Sequence, residues 1–430
     1  MRHVARSFVA FALLAAAAAA QLDPVEQAIV AAVDAQSHEL LEQLEALVDV
    51  NSGTMNHAGV REVGAFFERE LAALGFATRW VEMPAEMQRA GHLFAERDGD
   101  RGPTILLIGH LDTVFEPDSP FQSFRREGDI AHGPGTEDMK GGNLVILHAL
   151  SALEAAGALD GTRIIVALTG DEEELGAPLE IARRDLIEAG RRADLALGFE
   201  AAVGDIHTGT IARRGASRWT LTVTGTPAHS SQIFDERYGA GAIFEASRIL
   251  AAWYGQLRGE RYLTFNPGVI LGGTTVAYDG EGKRGTAFGK TNVIAETAVV
   301  EGDLRTISPE QLERARETMR RIVALSLPGT RAEITFADGY PPMPPTEANV
   351  DLLSQLDQVN RDLGFGAIEP LDPGLRGAAD VSFVAADVDA ALDGLGPVGW
   401  DGHTTSERID VTTLPVAVKR VAVLLYRLTR

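Results

Sequence analysis

The sequence predicts an α/β fold with a mixed central sheet flanked by helices, into which a smaller α+β domain is inserted. Apolar segments typical of buried strands alternate with helical segments in the first and last parts of the chain. The middle part instead follows a β-α-β-β-α-β order, which is typical of a small sheet covered by helices on one face. The length of 430 residues also exceeds one ordinary core, so two domains are expected.

The chain begins with a segment typical of a secretory signal peptide. Arg2 and Arg6 precede an apolar run from Phe8 to Ala20. This run is too short to span a membrane comfortably, so residues 1–20 are interpreted as a leader cleaved near Ala20. We therefore expect a secreted or periplasmic protein with no membrane attachment after cleavage.

The composition excludes some classes of partner and some kinds of site. Lys and Arg number 39 against 61 Asp and Glu, which gives a formal net charge of −22. Such an acidic surface disfavours nucleic acids and anionic membranes, because both are bound by clustered cations. The sequence contains no cysteine, so a metal site would have to use histidine and carboxylate ligands.

The first part of the chain supplies the strands of the main sheet. Helices are predicted over Pro24–Asp49 and Val60–Leu74, where apolar residues recur at helical spacing. Three apolar strands then run directly into polar residues, in the segments ILLIGHLD (105–112), IIVALTGDEEE (164–174) and LALGFE (195–200). Ligands of α/β sheets bind outside the carboxyl ends of the strands. We therefore expect a site at this edge of the sheet.

Residues 213–338 are interpreted as the inserted domain. They contain a strand at RWTLTVTG, a helix near Ala240–Tyr254, two further strands, a second helix and a final strand at RAEITFA. The proline-rich segment GYPPMPPTEAN then links back to the main body. The main domain is accordingly predicted to comprise residues 24–212 and 339–430.

Candidate metal ligands occur in five segments of the main domain. His110 and Asp112 stand two residues apart, so their side chains share one face of a strand. Any one such residue is more often a cap or a turn residue than a ligand. Several carboxylates together at the ends of buried strands are costly unless cations neutralise them. The candidates are His110, Asp112, Asp138, Glu172, Glu173, Glu200 and His403.

Five ordered motifs resemble those of a known enzyme family. GHLDTV, GPGTEDMKGG, TGDEEELG, FE and GHTTSE resemble, in this order and spacing, the M20 family of dinuclear zinc peptidases, and within it the glutamate carboxypeptidase branch. The resemblance covers the mature chain and implies a zinc-peptidase-like catalytic domain with an inserted lid and dimerisation domain. It further implies an exopeptidase that uses metal-activated water to hydrolyse the amide bond to a C-terminal amino acid such as glutamate.

The resemblance also implies a role for each motif residue. Two Zn²⁺ ions, or two other divalent ions, would be the cofactors, and Asp138 would bridge them. His110 and Glu200 would complete the ligands of one ion, while Glu173 and His403 would bind the other. Asp112 would then orient the His110 ring without touching the metal.

The remaining implied roles concern catalysis and substrate binding. Glu172 would be the general base. His229, in GTPAHSS, would reach toward the substrate carbonyl from the other subunit, so a homodimer formed by the inserted domain is expected. Arg305 would pair with a free carboxylate of the substrate. The residues expected to contact substrate are Asn292, Arg305 and Gly377.

One motif departs from the family pattern and leaves two assignments open. Asp171 is followed by three glutamates and Leu175 before Gly176, one residue more than usual. The base and ligand are therefore either Glu172 and Glu173 or Glu173 and Glu174. We prefer the first pair, because the preceding strand fixes the register from its N-terminal side.

The predicted architecture is also compatible with two other classes of function, a different amide hydrolase and a protein that binds peptides without cleaving them. An N-acyl-amino-acid deacylase or a dipeptidase would use the same metal centre on a small peptide or an N-acyl amino acid. An inactive homologue that only binds peptides would not need Glu172, which is not a predicted metal ligand. We therefore expect an enzyme.

Overall fold

The computed structural model describes residues 22–280 and 282–430, so the predicted leader lies outside the described residues. Within the described ranges, no helix is both long enough and apolar enough to cross a membrane. The helices are α1 Pro24–Val48, α2 His57–Ala73, α3 Lys140–Ala155, α4 Leu179–Ala182, α5 Arg184–Arg192, α6 Ala242–Leu257, α7 Pro309–Val323, α8 Glu347–Asp362 and α9 Thr413–Thr429.

The strands form a main sheet, a separate four-stranded sheet in the inserted segment, and three smaller sheets. They are β1 Ala77–Val81, β2 His92–Arg97, β3 Arg101–His110, β4 Arg125–Glu127, β5 Ile130–His132, β6 Thr162–Thr169, β7 Leu195–Gly198, β8 Ala202–Val203, β9 Thr208–Gly209, β10 Gly215–Gly225, β11 Thr264–Gly273, β12 Thr275–Asp279, β13 Arg284–Phe288, β14 Thr297–Thr306, β15 Thr330–Tyr340, β16 Glu369–Pro370, β17 Ala390–Leu392, β18 Val398–Trp400 and β19 Arg408–Asp410.

The main sheet is mixed, as the sequence predicts. Its order is β1-β2-β6-β3-β7-β17, with β6, β3, β7 and β17 parallel and the pairs β1–β2 and β2–β6 antiparallel. Both faces are covered, because Ile105 and Leu107 of β3 lie in the core with α1, α3 and α9, while Leu106 and Ile108 lie in the core with α5. This explains why β3 is a continuous apolar run.

Local capping sets where the first helices begin. α1 begins after a capping box, in which the side chains of Asp23 and Glu26 each accept the other's backbone amide at 2.8 Å. α2 begins at His57, three residues before the predicted start, because Asn56 caps it by accepting from the amide of Gly59. The spacing of apolar residues predicts which face of the helix is buried, whereas the capping residue determines where the helix begins.

The inserted segment has the predicted β-α-β-β-α-β order. Its antiparallel sheet runs β11-β14-β10-β15, and α6 and α7 pack on one face, where the rings of Trp219 and Trp253 lie 4.9 Å apart. An additional antiparallel hairpin, β12–β13, stands between the second and third strands of this unit. The predicted fold class, an α/β sheet with a separate α+β unit, is confirmed.

A smaller sheet brings distant segments to the edge of the main sheet. Its order is β4-β5-β19-β18-β8. β5 precedes the segment that carries Asp138, and His403 lies in the turn between β18 and β19. Since β5 pairs with β19, residues separated by more than 250 positions are brought close together.

Candidate metal centre

Three neighbouring parallel strands bring three of the predicted ligands to one edge. β3 lies between β6 and β7, and His110 is the last residue of β3. Glu173 follows the end of β6 and Glu200 follows the end of β7. The carboxyl ends of parallel strands meet at the same sheet edge, which is where α/β sheets bind ligands.

Asp138 lies between the two histidines of this cluster. Its Oδ1 is 2.9 Å from Nε2 of His110, and its Oδ2 is 3.0 Å from Nε2 of His403. Oε1 of Glu200 lies 3.8 Å from Nε2 of His110, and Oε2 of Glu173 lies 3.1 Å from Nε2 of His403. The residues therefore form two groups of three possible ligands that share Asp138.

The carboxylates of this cluster have the properties expected of ligands for divalent cations. Oε1 of Glu173 is buried and has no hydrogen-bond partner within residues 22–280 and 282–430. Burial and the neighbouring Asp138 raise the pKa of Glu173 and of Glu200 to about 7. Crowded carboxylates of this kind are stabilised by divalent cations, and imidazole with carboxylate oxygen is a donor set that zinc accepts.

Neighbouring carboxylates favour the protonated form of both histidines. Hydrogen bonds to Asp138 and Glu173 raise the pKa of His403 to about 11. Burial opposes protonation of His110, but hydrogen bonds to Asp112 and Asp138 raise its pKa well above the usual range. Bound metal ions would have to displace these protons.

Asp112 connects the histidine of β3 to the segment after β6. It is fully buried. Its backbone carbonyl oxygen lies 3.0 Å from Nδ1 of His110, and its Oδ1 lies 3.3 Å from the same atom. Its carboxylate accepts hydrogen bonds from the hydroxyl of Thr54 at 2.7 Å and from the backbone amides of Glu172 and Glu173 at 3.1 Å each. Asp112 thus orients the ring and also holds the acidic turn in place.

The side chains of the three consecutive glutamates lie in different surroundings. Glu173 is next to His403, whereas Glu174 is exposed and pairs with Arg89 at 3.3 Å. Glu172 belongs to neither group of possible ligands, and its carbonyl accepts from the Tyr340 hydroxyl at 2.6 Å. Burial, together with the nearby charge of Glu200, raises the pKa of Glu172 well above the usual range, against the opposing effect of His110.

Two glutamates support Asp138 and the turn that carries His403. Glu407 is buried, and its Oε1 accepts the backbone amides of Glu137 and Asp138 at 2.9 and 3.3 Å. The side chain of Glu137 packs under the turn, where a β-carbon on Gly402 would lie 2.2 Å from its Oε2. Glycine therefore allows the turn to approach, and His403 itself adopts a left-handed φ of 63°.

The predicted substrate residues of the inserted segment fall into two places. His229 and Asn292 are exposed and adjacent, since the amide of Ser230 donates to the carbonyl of Asn292 at 2.9 Å. Within the part of the chain that the structure describes, the His229 ring hydrogen-bonds only to Ser231. The ring therefore makes no hydrogen bond to the metal-centre residues of its own chain.

Arg305 and Gly377 are brought together from different parts of the chain. Nε of Arg305 donates to Asp303 at 3.0 Å. A β-carbon on Gly377 would lie 3.9 Å from Nη1 of Arg305. The segment that carries Gly377 also reaches the metal centre, because Arg213 donates to the carbonyl of Ala378 at 3.0 Å and its Nη2 lies 4.0 Å from Oε2 of Glu200.

Sequence reasoning missed three charged residues at this centre. Arg213 is buried and forms an ion pair with Asp393, although its ARRG segment gave no sign of either contact. Glu137 and Arg376 also lie near Glu200, where they influence one another's pKa values. For Glu137 and Arg376, the only signal in the sequence was that each adjoins a residue already selected, since Glu137 precedes Asp138 and Arg376 precedes Gly377.

A cluster with this much negative charge needs cations, and Glu172 beside it offers a base that belongs to neither ligand group. A site of this kind at the carboxyl edge of an α/β sheet defines a metal-dependent hydrolase. Residues 106–427 match the model of peptidase family M20/M25/M40, and the chain belongs to this family. The resemblance inferred from the five motifs is confirmed.

Relatives and solved structures agree with this membership. The chain is 28% identical over 389 residues to carboxypeptidase G2 from Pseudomonas sp. (strain RS-16), which covers 90% of this chain and 88% of that protein. Its fold is similar to aminopeptidase PepT from Bacillus cereus, with a TM-score of 0.73, 18% identity and coverage of 91% and 98% of the two chains. It is also similar to the M20 metallo-carboxypeptidase Sso-CP2 from Sulfolobus solfataricus, with a TM-score of 0.62, 16% identity and coverage of 90% and 98%.

Proposed function

We propose that the protein is a carboxypeptidase that releases a C-terminal amino acid, glutamate first among the candidates, from a small peptide or an N-acyl amino acid. The observation that carries this proposal is the position of Asp138, with one carboxylate oxygen toward His110 and the other toward His403. The similarity to carboxypeptidase G2 over 90% of the chain supports the choice among hydrolases.

The proposed cofactors are two divalent cations, with zinc as the first candidate. His110 and Glu200 would hold one ion, Glu173 and His403 the other, and Asp138 both. Such ions lower the pKa of a bound water and polarise the scissile carbonyl. Asp112 keeps the His110 ring in the orientation that leaves its Nε2 free to bind metal.

Glu172 is the proposed general base. Its carboxylate would take a proton from the attacking water and transfer it to the leaving nitrogen. Burial raises the pKa of Glu172, which brings it closer to the range in which a carboxyl group both accepts and donates a proton near neutral pH. Tyr340 and Asp112 hold the backbone of Glu172 from two sides.

Arg305 is the proposed partner of the substrate's terminal carboxylate, beside Gly377 in the substrate loop. His229 and Asn292 would act on the site of the partner subunit in a homodimer formed through the inserted domain. Exposed apolar side chains on this domain support such an interface. They include Phe234, Ile243, Phe244 and Ile270.

A hydrolysis panel tests the proposed function. N-acyl and peptidyl derivatives of glutamate, aspartate and neutral amino acids would be incubated with the protein, with and without a chelator. We expect chelator-sensitive release of the C-terminal amino acid. Cleavage of N-acyl amino acids without cleavage of peptides would favour the deacylase, and cleavage of dipeptides alone the dipeptidase. No chelator-sensitive hydrolysis of any compound would contradict the proposal.

We also propose that the protein is exported, with a leader that ends near Ala20. The support is the pattern of Arg2 and Arg6 before a short apolar run. N-terminal sequencing of the protein from its native cells should begin close to Gln21. A mature protein that retains residues 1–20 would contradict export by cleavage.

A further inference from the structure

Arg376 carries a buried guanidinium group that has no hydrogen-bond or ion-pair partner among the residues that the structure describes. Its exposed fraction is 9%, and its Nε and Nη2 atoms are enclosed without a hydrogen-bond partner. Within residues 22–280 and 282–430, the side chain forms neither a hydrogen bond nor an ion pair. Burying an unpaired cation is costly, so this position is arranged for an acceptor that is not part of the chain.

The surroundings place this guanidinium beside the metal centre. Burial and Arg213 lower the pKa of Arg376, while Asp393, Glu200 and Glu137 raise it. Asp393 already pairs with Arg213, and Glu200 belongs to a group of possible metal ligands. Two of the nearby carboxylates are therefore engaged elsewhere, and neither they nor Glu137 forms an ion pair with Arg376.

A second guanidinium group, that of Arg305, lies near Gly377, the residue that follows Arg376. Gly377 follows Arg376 directly, and a β-carbon on Gly377 would lie 3.9 Å from Nη1 of Arg305. Arg213 fixes this segment by donating to the carbonyls of Gly377 and Ala378 at 3.4 and 3.0 Å. Arg305 therefore lies close to the residue that follows Arg376, and Arg376 itself lies near Glu200 of the metal centre.

We propose that Arg376 binds the side-chain carboxylate of an acidic C-terminal residue, while Arg305 binds the α-carboxylate of the same residue. The inference rests on the proposed carboxypeptidase function and narrows its substrates to those ending in aspartate or glutamate. Arginine suits this role because its planar group forms paired, charge-assisted hydrogen bonds with a carboxylate.

Two substrates that differ in one group test the inference. They share an N-acyl group and end in glutamate or in glutamine, which has nearly the same shape but no charge. The wild-type protein is expected to prefer glutamate. Arg376→Gln should lower kcat/KM for the glutamate substrate about 100-fold and change it less than about threefold for the glutamine substrate. Arg376→Lys should retain part of the preference.

A matched control separates this role from a structural one. Arg361→Gln removes an exposed arginine of α8 that pairs with Asp357, and it should change neither kcat/KM value. An equal loss on both substrates in Arg376→Gln would show a structural role and overturn the inference. If the wild-type protein cleaved both substrates equally, the inference would be overturned but the proposed function would stand. If the wild-type protein cleaved neither substrate, the proposed function would be contradicted as well.

A binding measurement gives a second test that needs no turnover and no variant. Calorimetry would compare glutarate, which has two carboxylates, with glutaramate, in which one of them is an amide. The metal-loaded wild-type protein should bind glutarate at least about tenfold more tightly. Equal affinities for the two compounds would overturn the inference.

Discussion

Oδ1 of Asp112 accepts a hydrogen bond from the backbone amide of Glu172, and the two atoms lie 3.1 Å apart. The same Oδ1 lies 3.3 Å from Nδ1 of His110. One buried carboxylate therefore links the histidine at the end of β3 to the acidic turn after β6. This connection makes the geometry of the proposed metal ligand depend on that of the proposed base.

Asp112→Asn is expected to weaken metal binding about 10- to 100-fold and to lower turnover. Asparagine offers one acceptor oxygen in place of two, so it cannot accept from both backbone amides, and it removes the negative charge beside His110. Metal affinity would be measured by competition with a chelator. Asp118→Asn, at an exposed position of the following loop, is the control. An unchanged affinity in Asp112→Asn would contradict the role of Asp112.

Substitutions in the glutamate triplet separate the base from the ligand. Glu172→Gln should retain metal but lose about 100-fold or more of kcat, because glutamine cannot accept the proton. Glu173→Gln should lower the metal content, and Glu174→Gln should change neither property, since Glu174 faces solvent.

Metal content by elemental analysis and kcat measured on the same samples decide between the two assignments. If Glu174→Gln released metal and Glu173→Gln abolished only turnover, the base and ligand would be Glu173 and Glu174 instead.

Metal binding is expected to release protons and to weaken as the pH falls. In the metal-free protein the pKa of His403 is raised to about 11, and those of Glu173 and Glu200 are raised to about 7. These groups are therefore partly or fully protonated at neutral pH, whereas metal ligands must be deprotonated. Calorimetry at pH 7 in two buffers of different ionisation enthalpy should show release of about one proton or more. Binding without proton release would contradict the ligand set.

A histidine outside the site should make the fold sensitive to acid. His148 of α3 lies between Gln36 and Gln43 of α1, at 3.1 and 3.0 Å. Burial lowers its pKa from 6.5 to about 4, so the stabilising effect is complete above pH 6.5 and is lost as the pH falls toward 4.

The measurement is urea unfolding of the wild-type protein and of His148→Gln at pH 7 and pH 5. Between these two values the wild-type protein should lose about 2 kcal/mol more of its unfolding free energy than His148→Gln. Equal losses in the two proteins would show that His148 titrates normally.

Mixed dimers test whether His229 acts on the partner's site. A Glu172→Gln subunit lacks its own base but supplies an intact His229, and a His229→Ala subunit has the opposite defect. If His229 acts across the interface, mixing the two inactive proteins and allowing subunits to exchange should restore about one quarter of the activity, from one active site in half of the dimers. No recovery after confirmed exchange would place His229 in its own subunit's site.

The strand pattern predicted much of this centre. Period-two spacing placed His110 and Asp112 on one face, and the rule for strand ends placed them with Glu173 and Glu200 at one edge of the sheet. Nothing local in the sequence could predict the contacts of Arg376 or Glu407, because those depend on how distant loops pack. The observed start of α2 differs from the predicted start for a simpler reason. Asn56 caps the helix before the first residue of its apolar face.

Two metal ions are proposed to share Asp138. An anomalous-difference map from crystals of the zinc-loaded protein would locate both ions. We expect two peaks on either side of the Asp138 carboxylate, one beside His110 and Glu200 and the other beside Glu173 and His403. A single peak, or peaks away from Asp138, would contradict this proposal.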